Sequence, residues 1–152
     1  MAEDTFLTEK QEQQIIDAIA DAEKRTSGEI RVHMEHHCET DPLERADQLF
    51  HQLGMDETTL QNGVLLYIAT EDHKVAVYGG KGIDRKVEEG FWDDVIRILV
   101  NHFKADEYEE GIEAAVRKIG RKLEEVFPYR SGDQNELTDE ISYHTNTEQS
   151  DD

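Results

Sequence analysis

Three short polar motifs in this chain carry residue types that bind cations: Ser27–Glu29, Asn62–Gly63 and Gly79–Asp84. The first two directly precede apolar runs that are typical of strands, and the third directly follows another such run. Carboxylate and amide oxygens are the ligands that a hard cation such as Ca²⁺ prefers, and Ca²⁺ takes about 6–8 of them. The motifs therefore form a candidate metal site if the fold brings them together.

The order of the apolar runs predicts that the fold does so. Residues 64–69 and 74–78 are separated by a four-residue polar loop, which predicts a hairpin of two antiparallel strands. The earlier run, 29–34, is followed by a helical segment that leads to residue 64, and such a βαβ crossover makes its two strands parallel. The starts of the first and second strands and the end of the third therefore share one edge of the sheet, which we call the strand-start edge.

We expect a Ca²⁺ site at the strand-start edge. Glu29 and Asp84 would supply carboxylates, and Asn62 or main-chain carbonyl groups of the glycine turn would supply further oxygens. Glu88 and Glu89, near the start of the next helix, lie within reach of the same site. The alternative is that these are ordinary surface acids.

The glycine turn itself has two interpretations. Its spacing is neither the GxxxxGK[ST] of a phosphate loop nor a GxGxxG after a parallel strand, so we do not expect nucleotide binding by either device. Gly80, Lys81 and Gly82 would contact a bound ligand, with Lys81 meeting a phosphate carried by the metal. Alternatively, the glycines serve only a tight turn.

The segment 33–38 contains three histidines and the single cysteine of the chain. On an extended strand, His33, Glu35 and His37 point to one side, whereas His36 and Cys38 point to the other. A tetrahedral zinc site would need the segment to bend and would need ligands from elsewhere. We therefore predict a strand end with solvated histidines, and the lone Cys38 excludes an internal disulfide framework.

The periodicity of the rest of the chain predicts an α/β fold. A capping box at Thr8 and Gln11 opens one helix, and Asp41 followed by Pro42 opens a second. Residues 29–35 alternate, which predicts a strand with one buried and one polar face, whereas 64–69 is apolar throughout, as for a strand covered on both faces. We predict an α/β/α sandwich with a small mixed sheet, a βαβ crossover followed by a β-hairpin, and helices on both faces.

Composition narrows the function further. The 152-residue chain carries a formal net charge of −20, which argues against nucleic acid and anionic membrane surfaces as partners and is equally consistent with a general adaptation to a salty cytoplasm. The N-terminus has no signal-peptide pattern, and no apolar run is long enough to span a membrane. We expect a cytoplasmic protein with one domain at 1–130 and an acidic tail at 131–152 that is partly docked to about residue 143 and then disordered.

Four motifs in order resemble the TPM domain family, which includes a thylakoid-lumen acid phosphatase: Ser27–Val32, Asn62–Ala69, Gly80–Asp84 and Tyr108–Ile112. The likeness extends over roughly residues 7–129, and the later residues are similar to its short, soluble bacterial branch. It implies an α/β/α sandwich, Ca²⁺ binding near the strand-start edge and phosphatase activity. The family's turn often carries Glu where this chain has Asp84.

Two functions follow from these expectations. The first is a Ca²⁺-dependent binding module whose partner is a phosphate-bearing ligand or a protein. The second is an acid-phosphatase-like phosphomonoester hydrolase that uses bound Ca²⁺. The sequence offers no evident nucleophile, which favours the module and leaves catalytic residues unassigned.

Overall fold

The computed structural model describes residues 6–129 and 141–144. This part of the chain contains both helices and strands. They are α1 (Glu9–Glu23), β1 (Glu29–Glu35), α2 (Pro42–Gln52), β2 (Gly63–Ala69), β3 (Lys74–Gly79), the single-turn α3 (Lys81–Asp84), α4 (Phe91–Lys104), α5 (Tyr108–Val126) and β4 (Ser142–His144). A short 3₁₀ turn, Met55–Glu57, lies between α2 and β2.

The strands form one mixed sheet in the order β3-β2-β1-β4. Strand β1 is parallel to β2, with Glu29 opposite Gly63. Strand β3 is antiparallel to β2, with Gly79 opposite Val64. The two strand starts and the end of β3 are therefore neighbours, which confirms the predicted strand-start edge.

Strand β4 was not anticipated from the sequence. Its residues Ser142–His144 pair in parallel with His33–Glu35 of β1, and Ile141, just before it, packs against the core. Residues 131–140 and 145–152 lie outside the described residues. Most of the predicted acidic tail falls on them, so its docking and its disorder stay predictions.

Helices cover both faces of the sheet, which confirms the predicted α/β/α sandwich. Helices α1, α4 and α5 pack on one face, where the apolar side chains of β1 are buried among them: Ile30, Val32 and Met34. Helix α2 packs on the other face against β2 and β3, over a smaller core that contains Leu49, Phe50, Leu65 and Tyr67. No helix among the described residues is long and apolar enough to cross a membrane.

Local signals fix where the early helices begin and end. Thr8 and Gln11 form the predicted capping box of α1. Asp41 accepts hydrogen bonds from the first main-chain N–H groups of α2, and Gly54, with φ +76°, follows the end of that helix in the left-handed region. These residues satisfy helix-terminal groups that would otherwise lack partners.

The predicted polar face of β1 is present but is not exposed to solvent. Glu29, His33 and Glu35 are each at most 3% exposed. The physical reason is helix α2, which packs on this face of the sheet and places Arg45 against Glu35. A carboxylate is buried only where it is paired or hydrogen-bonded, and Glu35 is paired in this way.

Candidate functional site

Main-chain hydrogen bonds hold the strand-start edge together. The N–H group of Glu29 donates to the carbonyl oxygen of Asn62 over 3.4 Å. The N–H group of Gly82 donates to the carbonyl oxygen of Gln61 over 2.8 Å. The start of β1, the connection that enters β2 and the single turn α3 are thus linked directly.

The glycines of this turn are required by close packing rather than by their conformational freedom. Gly80 has an ordinary φ of −62° and precedes the helical turn α3, which differs from the tight turn that was one interpretation of the sequence. A Cβ on Gly80 would lie 2.5 Å from the Gln61 carbonyl oxygen, and one on Gly82 would lie 2.1 Å from that of Leu60. Both contacts are with the main chain, so only glycine lets the two segments meet. Lys81, between them, is exposed.

Three of the five predicted metal ligands lie at the edge in two different environments. Glu29 and Asn62 are each 2% exposed, and Asn62 Nδ2 donates to Ser27 Oγ over 3.3 Å. Asp84 is exposed and its Oδ1 accepts a hydrogen bond from Trp92 Nε1 at 2.9 Å. The edge therefore combines buried and exposed side-chain oxygens that could act as metal ligands.

The remaining two predicted ligands lie further out. Glu88 Oε1 is 3.0 Å from Lys122 Nζ, and the hydrogen bond with this ammonium lowers the pKa of Glu88. Glu89 is exposed. Within the described residues, no group of three or more His, Cys, Asp and Glu side chains is already gathered in a metal-binding arrangement. The Ca²⁺ site stays a prediction.

The structure adds two acids to this edge, Asp47 of α2 and Asp56 of the 3₁₀ turn. Together with Asp84 they form what we call the acidic cluster, and all three act on Tyr78 near the end of β3. Burial raises the pKa of the Tyr78 hydroxyl, and a polar contact with Asp47 and the negative charges of Asp47, Asp84 and Asp56 raise it further. His51 joins the first two acids, since its Nδ1 lies 3.1 Å from Asp47 Oδ1 and its Nε2 lies 3.8 Å from Asp56 Oδ2.

Two oxygens here are buried without a hydrogen-bond donor among the described residues, Asp56 Oδ1 and Thr58 Oγ1. Asp47 Oδ1 shares His51 Nδ1 with the Asp47 main-chain oxygen, which lies 2.9 Å from that nitrogen. A buried polar atom without a partner costs about 1–3 kcal/mol. An arrangement of oxygens that lack donors favours a cation as its partner.

Sequence reasoning missed Asp47 and Asp56, although a usable signal existed. In a βαβ crossover the helix runs antiparallel to both strands, so its C-terminal half and the connection that follows must return to the strand-start edge. That argument assigns residues 47–61 to this edge. The helical pattern alone does not, because Asp47 occupies an ordinary polar position of α2.

A second polar group lies on the same sheet face, around the carboxylate of Glu35. Arg45 makes a bidentate interaction with this carboxylate: Nε donates to Oε2 at 2.8 Å and Nη2 donates to Oε1 at 2.9 Å. The Tyr67 hydroxyl donates to Oε2, and His33 Nε2 lies 3.7 Å from Oε1. We call these four residues the Glu35 network.

Burial and hydrogen bonds determine the protonation states of Glu35 and Tyr67 in the Glu35 network. Burial opposes ionisation of Glu35, but hydrogen bonds with His33, Arg45 and Tyr67 outweigh it and lower the pKa of Glu35 to about 2. Burial and the hydrogen bond to Glu35 raise the pKa of Tyr67. The network is an ionised, hydrogen-bonded structural unit near neutral pH.

The histidine segment forms contacts other than a zinc site. His33 is buried, not solvated as predicted, whereas His37 Nδ1 lies 3.1 Å from Asp72 Oδ1 at the surface. The Cys38 thiol is buried and donates to the Thr40 carbonyl oxygen over 3.1 Å. These contacts lead in different directions, so the segment does not converge on one point.

Comparison with known proteins agrees with this architecture. The chain is similar to the structure of the BA42 protein from the psychrophilic bacterium Bizionia argentinensis, with 44% identity, a TM-score of 0.87, and coverage of 93% of this chain and 98% of that one. It shares its fold with the N-terminal domain of a protein from P. gingivalis (19% identity, TM-score 0.66, 82% of this chain and 81% of that one). A domain of the cg2496 protein from Corynebacterium glutamicum is a further example (15% identity, TM-score 0.62, 77% and 74% coverage).

No functionally curated protein matches the sequence. The family profile described as TPM domain matches residues 1–122, which include the first three sheet strands, the strand-start edge and most of α5. The resemblance noted in the sequence motifs is thereby confirmed, and the chain belongs to the TPM domain family.

Proposed function

We propose that this protein is a Ca²⁺-binding module whose metal site is the strand-start edge. The observation that carries the proposal is the pair of buried oxygens without a hydrogen-bond donor among the described residues, Asp56 Oδ1 and Thr58 Oγ1, near the carboxylate of Asp47. Ca²⁺ takes oxygen ligands in flexible geometry, which suits side chains from several elements. Bound Ca²⁺ would neutralise the edge and polarise a phosphoryl oxygen of a ligand.

The acidic cluster would form the centre of this site. Asp47 and Asp56 keep side-chain exposures of 50% and 36%, and Asp84 is exposed, so these carboxylates have room to turn toward a common ion. Glu29 and Asn62 would supply further metal ligands from their buried side-chain oxygens. The competing contacts are weak, since a surface ion pair contributes about 0–1 kcal/mol.

Glu88 and Glu89 would act at the periphery. Glu88 is held by Lys122, which is itself 15% exposed, so it would have to leave that ammonium before it could bind a metal. Glu89 would add negative potential without direct coordination. We therefore expect a ranking in which the acidic cluster dominates the affinity and the two glutamates modify it.

Calorimetric titration of Ca²⁺ tests the proposal. Asp56→Asn and Asp84→Asn should each weaken Ca²⁺ binding by at least about 10-fold, and Glu29→Gln should weaken it as well. The matched control is Asp17→Asn on α1, where the side chain bonds only Gln13 among the described residues and the same charge is removed. Equal affinity in all four variants would contradict the proposal.

Phosphomonoester hydrolysis is the second candidate, favoured by one observation. Lys81 is exposed at the first position of α3, three residues before Asp84, on the same edge. It could bind a phosphate that a metal at the acidic cluster also contacts. Hydrolysis would be supported if p-nitrophenyl phosphate releases phosphate only with Ca²⁺ and if Lys81→Gln abolishes this release. Ca²⁺ binding without phosphate release would instead favour the non-catalytic binding module.

A further inference from the structure

A cavity of about 240 Å³ opens at the end of the sheet opposite the strand-start edge. Its floor is formed where β2 ends and β3 begins, by Ile68, Thr70 and Val75, and one wall is formed by Val100 and Phe103 of α4. We call it the hairpin-end cavity. Open α/β sheets commonly place ligands beyond the carboxyl ends of their parallel strands, and β2 ends here.

Phe103 belongs to a group of three aromatic rings that line the cavity. The Phe6 ring centroid lies 4.3 Å from that of Tyr108 and 5.7 Å from that of Phe103, and the latter two are 5.3 Å apart. The rings meet in tilted and edge-to-face arrangements, which aromatic groups prefer. Because each ring packs on two others, this group suits a flat apolar ligand.

The charge at the cavity differs from that of the whole molecule. The chain has 36 acidic residues against 16 Lys and Arg, yet the described residues that line the cavity include Lys104 and His73 and, among them, no Asp or Glu. Both are exposed, and neither makes a side-chain ion pair within the described part of the chain. Asp106, which accepts from the Tyr108 hydroxyl, lies outside the lining. The mouth therefore offers the ammonium group of Lys104 to an anionic ligand.

We propose that the hairpin-end cavity binds a small aromatic carboxylate, with the ring in the apolar interior and the carboxylate at Lys104. Size favours this class: a cavity of about 150 Å³ accommodates benzene, and sites for drug-sized ligands begin at about 300 Å³. A volume of about 240 Å³ fits one ring with a short acidic arm. This site is independent of the proposed Ca²⁺ site.

Two ligands of the same shape test the proposal by NMR titration of amide resonances. 3-Phenylpropionate should bind saturably and shift amides in residues 68–75 and 100–108. Its neutral counterpart, 3-phenylpropanol, should bind about 3- to 5-fold more weakly, since it lacks the charge that faces Lys104.

Three variants separate the parts of this interaction. Lys104→Gln should bring the two affinities together, whereas the matched control Lys24→Gln, at the end of α1, should keep the difference. Val100→Trp should fill the cavity and abolish binding of both compounds while circular dichroism shows a folded chain. If this variant fails to fold, the Lys104 comparison decides.

Several results would overturn the proposal. They are the absence of saturable shifts at millimolar ligand, equal affinity of the carboxylate and the alcohol for the wild type, and an unchanged preference in Lys104→Gln. Binding retained in a folded Val100→Trp variant would also overturn it, since the ligand would then lie elsewhere.

Discussion

Two tyrosines on one face of the sheet lie beside carboxylates whose negative charge is balanced to different degrees. Tyr67 donates to Glu35, whose charge is matched by the guanidinium of Arg45. Tyr78 lies near the acidic cluster, which in the described part of the chain is contacted by a histidine but by no Lys or Arg. In the first group the negative charge is neutralised by a protein cation, whereas the second group carries excess negative charge. Local charge balance thus separates a structural network from a candidate ligand site.

The comparison has energetic content. A buried carboxylate with a bidentate arginine keeps its charge at little net cost, but losing one partner leaves the other charge buried and unpaired. Half-exposed carboxylates repel one another instead, so losing one of them relieves repulsion. We expect substitutions in the Glu35 network to lower the stability of the protein and substitutions in the acidic cluster to change its binding.

The largest effect is expected for Arg45→Met. Arg45 is 18% exposed and Glu35 is fully buried, so removal of the guanidinium should lower the free energy of unfolding by about 3–5 kcal/mol. Arg97→Met is the matched control, because Arg97 pairs with Asp94 at the surface and should change stability by less than about 1 kcal/mol. Urea denaturation measures both, and similar losses would remove the distinction between buried and surface pairs.

The second prediction concerns pH. The pKa of Glu35 is lowered to about 2 in the folded state, so its stabilisation is present above its unfolded pKa of about 4.3 and is lost as pH falls toward 2. The shift corresponds to about 3 kcal/mol. Glu35→Gln should be much less stable than the wild type at pH 7, and the gap should shrink between pH 5 and 2. A gap that stays constant in urea denaturation over this range would contradict the assigned role of Glu35.

The Glu35 network also shows where sequence reasoning reaches its limit. The alternation along β1 placed Glu29, His33 and Glu35 on one face correctly, because side-chain direction in a strand is fixed by the backbone. It could not show that this face is buried. That depends on how helix α2 packs over this face and places Arg45 against Glu35, which no pattern within β1 specifies.

The third prediction is a ligand-linked change in stability. Ca²⁺ at one hundred times its dissociation constant should raise the free energy of unfolding by about 2.7 kcal/mol relative to EDTA. In the double variant Asp56→Asn, Asp84→Asn this increment should vanish, while its stability in EDTA should equal or slightly exceed that of the wild type. Thermal unfolding provides the measurement. A double variant that still gains stability from Ca²⁺ would place the ion elsewhere.

The candidate site was predicted in its position and only in part in its members. Loop length and the crossover rule brought Glu29, Asn62 and the glycine turn to one edge, since both rules act through the direction of the chain. The close approach of Gly82 to the Leu60 carbonyl oxygen depends on how the loop before β2 packs. No local pattern specifies that packing, and the same is true of the position of Asp56 beside His51.

The most direct test of the contrast between the two regions is a Ca²⁺ titration followed by amide resonances along the whole chain. We predict saturable shifts in residues 54–63 and 78–84, around the acidic cluster, and little change at Glu35, Arg45 and Tyr67. Shifts centred on the Glu35 network, or no saturable shift at millimolar Ca²⁺, would contradict the account.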